Sequence, residues 1–368
     1  MKPEVPIESV QAQAFTVPTD RPEADGTIVW DSTTLVVVEI AAGGKSGMGY
    51  TYSSACIVDL IGKTLAEKIK GKDALSPQAA FAAMERAVRN LGREGLAATA
   101  ISAVDTALYD LKARLLDVPL ARLLGAYRLS VPIYGSGGFT TYSDSELAQQ
   151  LGGWVVEQGC AFVKMKIGSE PGRDPHRVEV AKRAIGKATL FVDANGAYGP
   201  KQAIALAEQF AEQDVGWFEE PVSSDDLEGL ALVRAQLPVG MEVAAGEYAY
   251  TTDYVRTMLQ HGAVDVQQAD ATRCGGYTGF LQAAALCDAF HTDLSGHCAP
   301  ALHLHVACAA PRLRHLEWFH DHVRIEHMLF DGAPRPRDGQ IVPDLTCAGN
   351  GLVFKHADAA RYAVAGAS

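Results

Sequence analysis

No stretch of the 368 residues approaches the roughly 20 consecutive apolar residues that a membrane-crossing helix requires. Positive charge is also scarce: 32 Lys and Arg stand against 44 Asp and Glu, a formal net charge of −12. That balance argues against a nucleic-acid partner, although lysines inside a cleft still create a local field for an anionic ligand. Cysteine is sparse as well. The seven cysteines (56, 160, 274, 287, 298, 308 and 347) are scattered, odd in number and form no C-x-x-C. They read as buried free thiols of a cytosolic protein, not as a disulfide or zinc framework. The first residues lack the apolar core of a signal peptide, and no Walker motif or G-x-G-x-x-G after a strand marks a nucleotide site.

What the chain does have is a repeat in its second half. Short apolar runs end in polar residues at Lys166, Asp193, Glu219, Glu247, Asp270, His297 and Glu317, with steps of 27, 26, 28, 23, 27 and 20 residues. Such a length suits one strand, one helix and two loops. The repeat predicts an α/β fold, a (β/α)7-8 TIM-type barrel whose site lies at the C-terminal ends of its strands. Helices are expected over 144–158, 174–186, 200–213, 225–236, 252–261, 277–290 and 300–309, and the first barrel strand at Val131.

Ahead of the barrel, residues 1–127 read as an α+β capping domain. Residues 7–17 and 33–40 are strand-like, and the polar stretch 18–26 reads as a loop too charged for a core. The glycines from Gly43 to Gly49 read as a second break, before Tyr50 to Tyr52. Helical periodicity follows from Cys56, with Ser76-Pro77 as a helix start and a buried-looking helix from Gly95 to Leu116. The barrel domain is expected over 128–325, and 326–368 as a segment returning to the cap.

Asp193, Glu219 and Glu247 would end three neighbouring strands about 5 Å apart. Converging carboxylates repel unless a cation sits among them, and an all-oxygen set suits Mg²⁺ better than zinc. Taken singly, each acid is better explained by a helix cap or an arginine partner; three in register reverse that preference. Lys164 and Lys166 share a strand face, and burial there would lower a lysine pKa far enough to make it a base. Asp270 and His297 form a candidate acid–base pair, and Glu317 a hydrogen-bonding group, particularly if protonated. His303 and His305, two apart in a helix, cannot share a ligand and read as packing.

The segments Lys164–Lys166, Val192–Asn195, Phe218–Pro221, Gly246–Glu247, Asp270 with Gly275-Gly276, His297 with Leu302–His305, and Leu316–Trp318 together resemble the enolase superfamily. More narrowly they resemble its mandelate racemase subgroup, rich in acid-sugar dehydratases. The resemblance implies Asp193, Glu219 and Glu247 as Mg²⁺ ligands, Lys166 as one base, and His297 with Asp270 as the opposite acid or base. Lys164, Glu317 and Asn195 would hold a small-molecule carboxylate substrate. Loops 18–32 and 47–54, carrying Arg21, Trp30, Tyr50 and Tyr52, would close over it. Cys298 stands where bulkier apolar residues are expected in relatives. A cytoplasmic homo-oligomer that dehydrates an aldonate or aldarate is the expectation. A racemase or epimerase using the same residues, and a barrel that binds an acid without turnover, are the alternatives.

Overall fold

The computed structural model describes residues 4–366. The alternation seen in residues 7–17 produces a strand, but the strand does not stop there. β1 (Ser9–Ala24) runs through the polar stretch and pairs antiparallel with β2 (Val29–Ala42). Register slips between Pro18 and Glu23, after which Glu23 faces Trp30 and Ala24 faces Val29. Residues 18–24 are therefore one arm of a long hairpin, not a loop, and Glu23 is wholly buried. Its charge misled the sequence reading.

β3 (Lys45–Tyr52) pairs with β2 through a turn at Gly43-Gly44. The stretch 47–52 is strand, and Gly47 and Gly49 do not break it. A Cβ on Gly47 would lie 2.3 Å from Leu111 N, and one on Gly49 2.4 Å from Ala107 N. Their absence lets the helix Leu96–Leu116 lie directly against the sheet. That helix ends at Asp117, in a left-handed conformation. The helix Pro77–Ala87 starts where expected, although the Ser76 hydroxyl donates to Asp73 instead of capping it. Ala363–Gly366 adds a fourth strand beside β1.

Eight parallel strands follow: β4 (Val131–Gly137), β5 (Phe162–Lys166), β6 (Thr189–Asp193), β7 (Val215–Glu219), β8 (Glu242–Ala245), β9 (Val266–Ala269), β10 (Asp293–Gly296) and β11 (Leu313–Phe319). Each pairs with the next, and β11 pairs with β4, so the sheet closes. Helices lie between successive strands, with bounds within two residues of those expected. A further helix, His320–Leu329, spans the boundary expected at 325. Gln340–Ile341 pairs antiparallel with the start of β4.

The two-residue alternation of strands sorts the barrel interior into layers. Tyr134, Phe162, Phe191, Trp217 and His315 stack on one another, with the Phe191 and Trp217 rings 4.8 Å apart and Tyr134 4.8 Å from His315. Two residues further along the same strands come Ser136, Lys164, Asp193, Glu219 and Glu317. An aromatic floor thus carries an ionisable layer. Burial pushes the His315 imidazole down to about 3, with Arg314 and Lys164 adding to the effect, so it sits neutral in the floor.

The Trp217 indole also donates to Glu219 Oε2 at 3.0 Å. Trp217→Ala should therefore cost about 3–5 kcal/mol of stability, read as a lower urea midpoint. Trp217→Phe, which keeps the ring stack, should retain most of it.

Candidate active site

The acid and base positions converge at the C-terminal mouth of the barrel. Lys166, Asp193 and Glu219 are the last residues of β5, β6 and β7. Gly246, at φ 138, turns the chain after β8 so that Glu247 joins them; a Cβ there would lie 2.2 Å from Gln268 O. Asp193, Glu219 and Glu247 each offer an oxygen within 4.8 Å of the others, and all three are buried. Octahedral Mg²⁺, with bonds of about 2.0–2.1 Å, needs oxygens roughly 3–4 Å apart. The donor set fits that ion in spacing, charge and hardness.

Lys164 Nζ lies 2.5 Å from Glu219, 2.9 Å from Glu317 and 3.3 Å from Asp193. Lys166 Nζ lies 2.5 Å from Asp193 and 3.1 Å from Asn195 Oδ1. Burial alone would lower the Lys166 amine, as the sequence reading assumed. Asp193, Glu247 and Glu219 outweigh burial and hold it above the ordinary lysine range. The expected depression is therefore not what this charge arrangement gives: the lysines here act as counter-ions to the acids. The acids respond unequally. Against burial, Lys166 and Lys164 pull Asp193 below the usual carboxylate range, whereas burial and Asp193 together push Glu219 above it.

His297 Nδ1 lies 2.8 Å from Asp270 Oδ2, the pairing expected. Its Nε2 is 3.4 Å from Glu247 Oε2 and 3.6 Å from Glu317 Oε2. Burial opposes a charge on the ring, but Cys298, Glu247, Glu317 and Asp270 together raise its pKa. Glu317 also accepts from Ser136 Oγ at 2.6 Å and from the Cys298 amide at 3.0 Å. Burial would protonate Glu317; Lys164 and His297 overcome that and keep it ionised, against the protonated form considered from sequence. His303 is spoken for: its Nε2 accepts from Ala271 N at 2.7 Å and its Nδ1 faces Ala299 O. His305 Nε2 is bonded to Asn350 O.

The cap residues separate into two groups. Trp30 donates its indole N–H to Glu23 Oε2 at 2.9 Å and packs near Phe139, Tyr142, Cys298 and Phe319, at the edge of the acid–base cluster. Tyr52 lies flat on His322, with centroids 3.5 Å apart. Tyr50 and Arg21 do not fit the ligand-contact role expected of them. Tyr50 is completely buried, stacked on Phe330, and its hydroxyl donates to Glu326 at 2.6 Å. Arg21 pairs with Glu146 at 2.5 Å beside an outer cleft that also holds Asp20, Tyr142, Trp154 and His320, and that touches none of the barrel-end acids. Among the residues the sequence reading missed are Ser136 and Arg273. Arg273 reaches Glu247 Oε1 at 3.4 Å and Asp270 Oδ2 at 3.6 Å, and sits three residues after Asp270, a spacing that could have drawn notice. Among the described residues all seven cysteines are free, though Cys56 is exposed and Cys347 only half-buried, and no helix is long and apolar enough to cross a membrane.

Residues 146–358 match the family model "Enolase C-terminal domain-like", and residues 10–125 match "Mandelate racemase / muconate lactonizing enzyme, N-terminal domain". The chain belongs to the enolase superfamily, in its mandelate racemase group. It is 31% identical over 353 residues to an L-talarate/galactarate dehydratase of Salmonella typhimurium, covering 91% of this chain and 86% of that one. A mandelate racemase/muconate lactonizing enzyme-like protein from Rubrobacter xylanophilus superposes with TM-score 0.95 at 49% identity, over 98% of this chain and all of that one. An L-talarate dehydratase from Polaromonas, solved with Mg and L-glucarate, superposes with TM-score 0.89 at 28% identity, over 99% and 98%. The enolase superfamily uses Mg²⁺, and homologous structures are solved with it bound.

Glu326, beneath Tyr50, gives a pH test of the layer behind the site. Burial raises its carboxyl to about 8, against the Tyr50 and Ala301 hydrogen bonds. The folded state then holds a proton that the unfolded chain releases near pH 4.5, so this group costs stability as pH rises from about 5 to 8. Glu326→Gln should flatten that part of the stability–pH curve, measured by urea unfolding at fixed Mg²⁺.

Proposed function

We propose that the enzyme is a hydro-lyase that removes water from a sugar acid, an aldonate or aldarate, to give a 2-keto-3-deoxy acid. The observation that carries this reading is the convergence of two acid–base groups, Lys166 and His297, on one buried carboxylate trio. Lys166 borders it through Asp193, and His297 borders it through Glu247. Dehydration of a carboxylate substrate needs both a base for the α-proton and an acid for the departing 3-hydroxyl. The Salmonella and Polaromonas relatives, both named as dehydratases of sugar diacids, support the substrate class.

Asp193, Glu219 and Glu247 would hold the magnesium, which supplies electrostatic stabilisation for the negative charge that develops on the substrate carboxylate. Lys164, wholly buried between Glu219 and Glu317, would neutralise that carboxylate from the other side. Lys166, whose amine borders Asp193 and Asn195, would take the α-proton. Asp270 fixes the His297 ring with Nδ1–H bound, leaving Nε2 to give its proton to the leaving hydroxyl. Asn195 and Glu317 would orient the substrate, and Trp30 and Tyr52 would cover it. The buried Glu23 beside Trp30 suits a ligand rich in hydroxyls.

A second reading, a racemase or epimerase of a 2-hydroxy acid, uses the same residues with the proton returned to the opposite face. The apolar group of Trp30, Phe139 and Phe319 beside Cys298 favours it, because such a wall suits an acid with an apolar far end. We also place the enzyme in the cytoplasm as a homo-oligomer; its free thiols support the first part.

Incubation with Mg²⁺ and a library of aldonates and aldarates in D₂O, followed by proton NMR, tests the reading. The 2-keto-3-deoxy product is expected for at least one acid. Deuterium at C2 with the carbon skeleton unchanged would instead establish the epimerase. Lys166→Ala and His297→Asn should each lower kcat by about 10²–10⁴-fold, and parent-like turnover in both would sink the catalytic assignment.

A further inference from the structure

Cys298 takes no part in the chemistry above, yet its side chain points into the site. Consecutive residues on an extended strand face opposite ways. Here the chain leaves β10 and turns, with Cys298 at φ 53 and Ala299 at φ 39, both in the left-handed region that non-glycine residues rarely adopt. The turn sets the thiol beside the imidazole of its own neighbour. Cys298 Sγ is 3.4 Å from His297 Nε2 and 3.4 Å from Glu317 Oε2, and Nε2 is 3.6 Å from that same Glu317 oxygen.

Three unlike donors (sulfur, nitrogen and oxygen) therefore form a nearly equilateral triangle. Zinc bonds of about 2.0–2.3 Å at tetrahedral angles require donor–donor edges of roughly 3.3–3.8 Å. All three observed edges fall in that window. The Asp270 carboxylate adds a second match. It engages Nδ1 of the same ring, the outer contact that orients a zinc-bound histidine and leaves Nε2 for the metal. A thiolate and a carboxylate also cancel the charge of a divalent ion. The magnesium trio contains no sulfur or nitrogen, so the two donor sets differ in softness.

We propose that His297, Cys298 and Glu317 form a soft-metal site beside the magnesium site, one that takes zinc and silences the enzyme by capping His297. On binding, bonds form from zinc to Sγ, Nε2 and Oε2. The thiol proton, with any proton on Nε2, leaves to the buffer, and a water completes the tetrahedron. Metal binding stands independently of the sugar-acid reading; only the loss of dehydration rests on it.

Cobalt(II) reports such a site without any substrate, because a cobalt–thiolate bond gives an intense near-ultraviolet charge-transfer band that oxygen ligands do not. Titrating the magnesium-saturated protein with Co²⁺ should produce this band with a stoichiometry of one. Cys298→Ser, which keeps the shape and removes the sulfur, should abolish it, and Glu317→Gln should weaken cobalt binding at least about tenfold. Cys274→Ser, at a buried thiol outside the triangle, should leave the band intact. Zinc should displace the cobalt, and where turnover is detected it should inhibit the parent at concentrations at least about tenfold below those needed for Cys298→Ser. No band in the parent at millimolar Co²⁺, or the same band in Cys298→Ser, overturns the site. A cobalt band with zinc-insensitive turnover leaves the metal site standing and overturns the silencing.

Discussion

Three carboxylates held within 4.8 Å of one another inside a barrel is the condition to which the rest of this structure answers. In water such a group would simply spread apart or bind counter-ions; on the ends of adjacent parallel strands it cannot. At an effective dielectric of about 20, like charges 4 Å apart repel by roughly 4 kcal/mol per pair. Lys164 and Lys166 offset that repulsion, each from a position fixed by the same two-residue alternation that aims the acids. Arg273 and His297 do the same for Glu247 from the opposite side. Opposite signs alternate around the mouth, and every member but the half-buried Arg273 is buried. The arrangement is costly to assemble and rigid once made, which suits a site that must present charges to a substrate without reorganising.

This layer was the legible part of the sequence. Barrel strands are short, regularly spaced and end in chemistry, so Asp193, Glu219, Glu247, Asp270 and His297 declared themselves by spacing, and the helices between them lie within two residues of the spans expected. The cap was less legible, for a specific reason. Polar residues normally mark loops, and residues 18–24 are polar; but Glu23 is buried against Trp30, a partner whose nearness arises only when the hairpin pairs. Tyr50 failed in the same way. Its hydroxyl is satisfied by Glu326, 276 residues away, which no local pattern reveals. The glycines of β3 were read as breaks because their purpose, close approach to the helix Leu96–Leu116, also lies outside the strand. The direction of the Lys166 shift was wrong because burial was weighed without the summed field of three acids.

The cap and the barrel share responsibility for the site. Helix His320–Leu329 carries His322 beneath Tyr52 and Glu326 beneath Tyr50, so the third strand of the cap sheet is stacked on a barrel helix through aromatic rings and one buried hydrogen bond. The hairpin tip between β1 and β2 is tied to the barrel as well: Thr140 N donates to Ala24 O at 2.9 Å and Thr141 Oγ1 to Pro22 O at 2.8 Å.

The pairing of Ala363–Gly366 with β1 has a consequence for biosynthesis. Gln13, Ala14 and Phe15 present an open backbone edge from the moment the cap hairpin forms, and their partner lies more than 300 residues downstream. At translation rates of about 5–20 residues per second, that edge stays bare for roughly 15–60 s. An uncovered strand is the usual template for pairing with another nascent copy. The strand that finishes the cap therefore also shuts off a route to aggregation, and the ribosome delivers it only after the whole barrel has emerged.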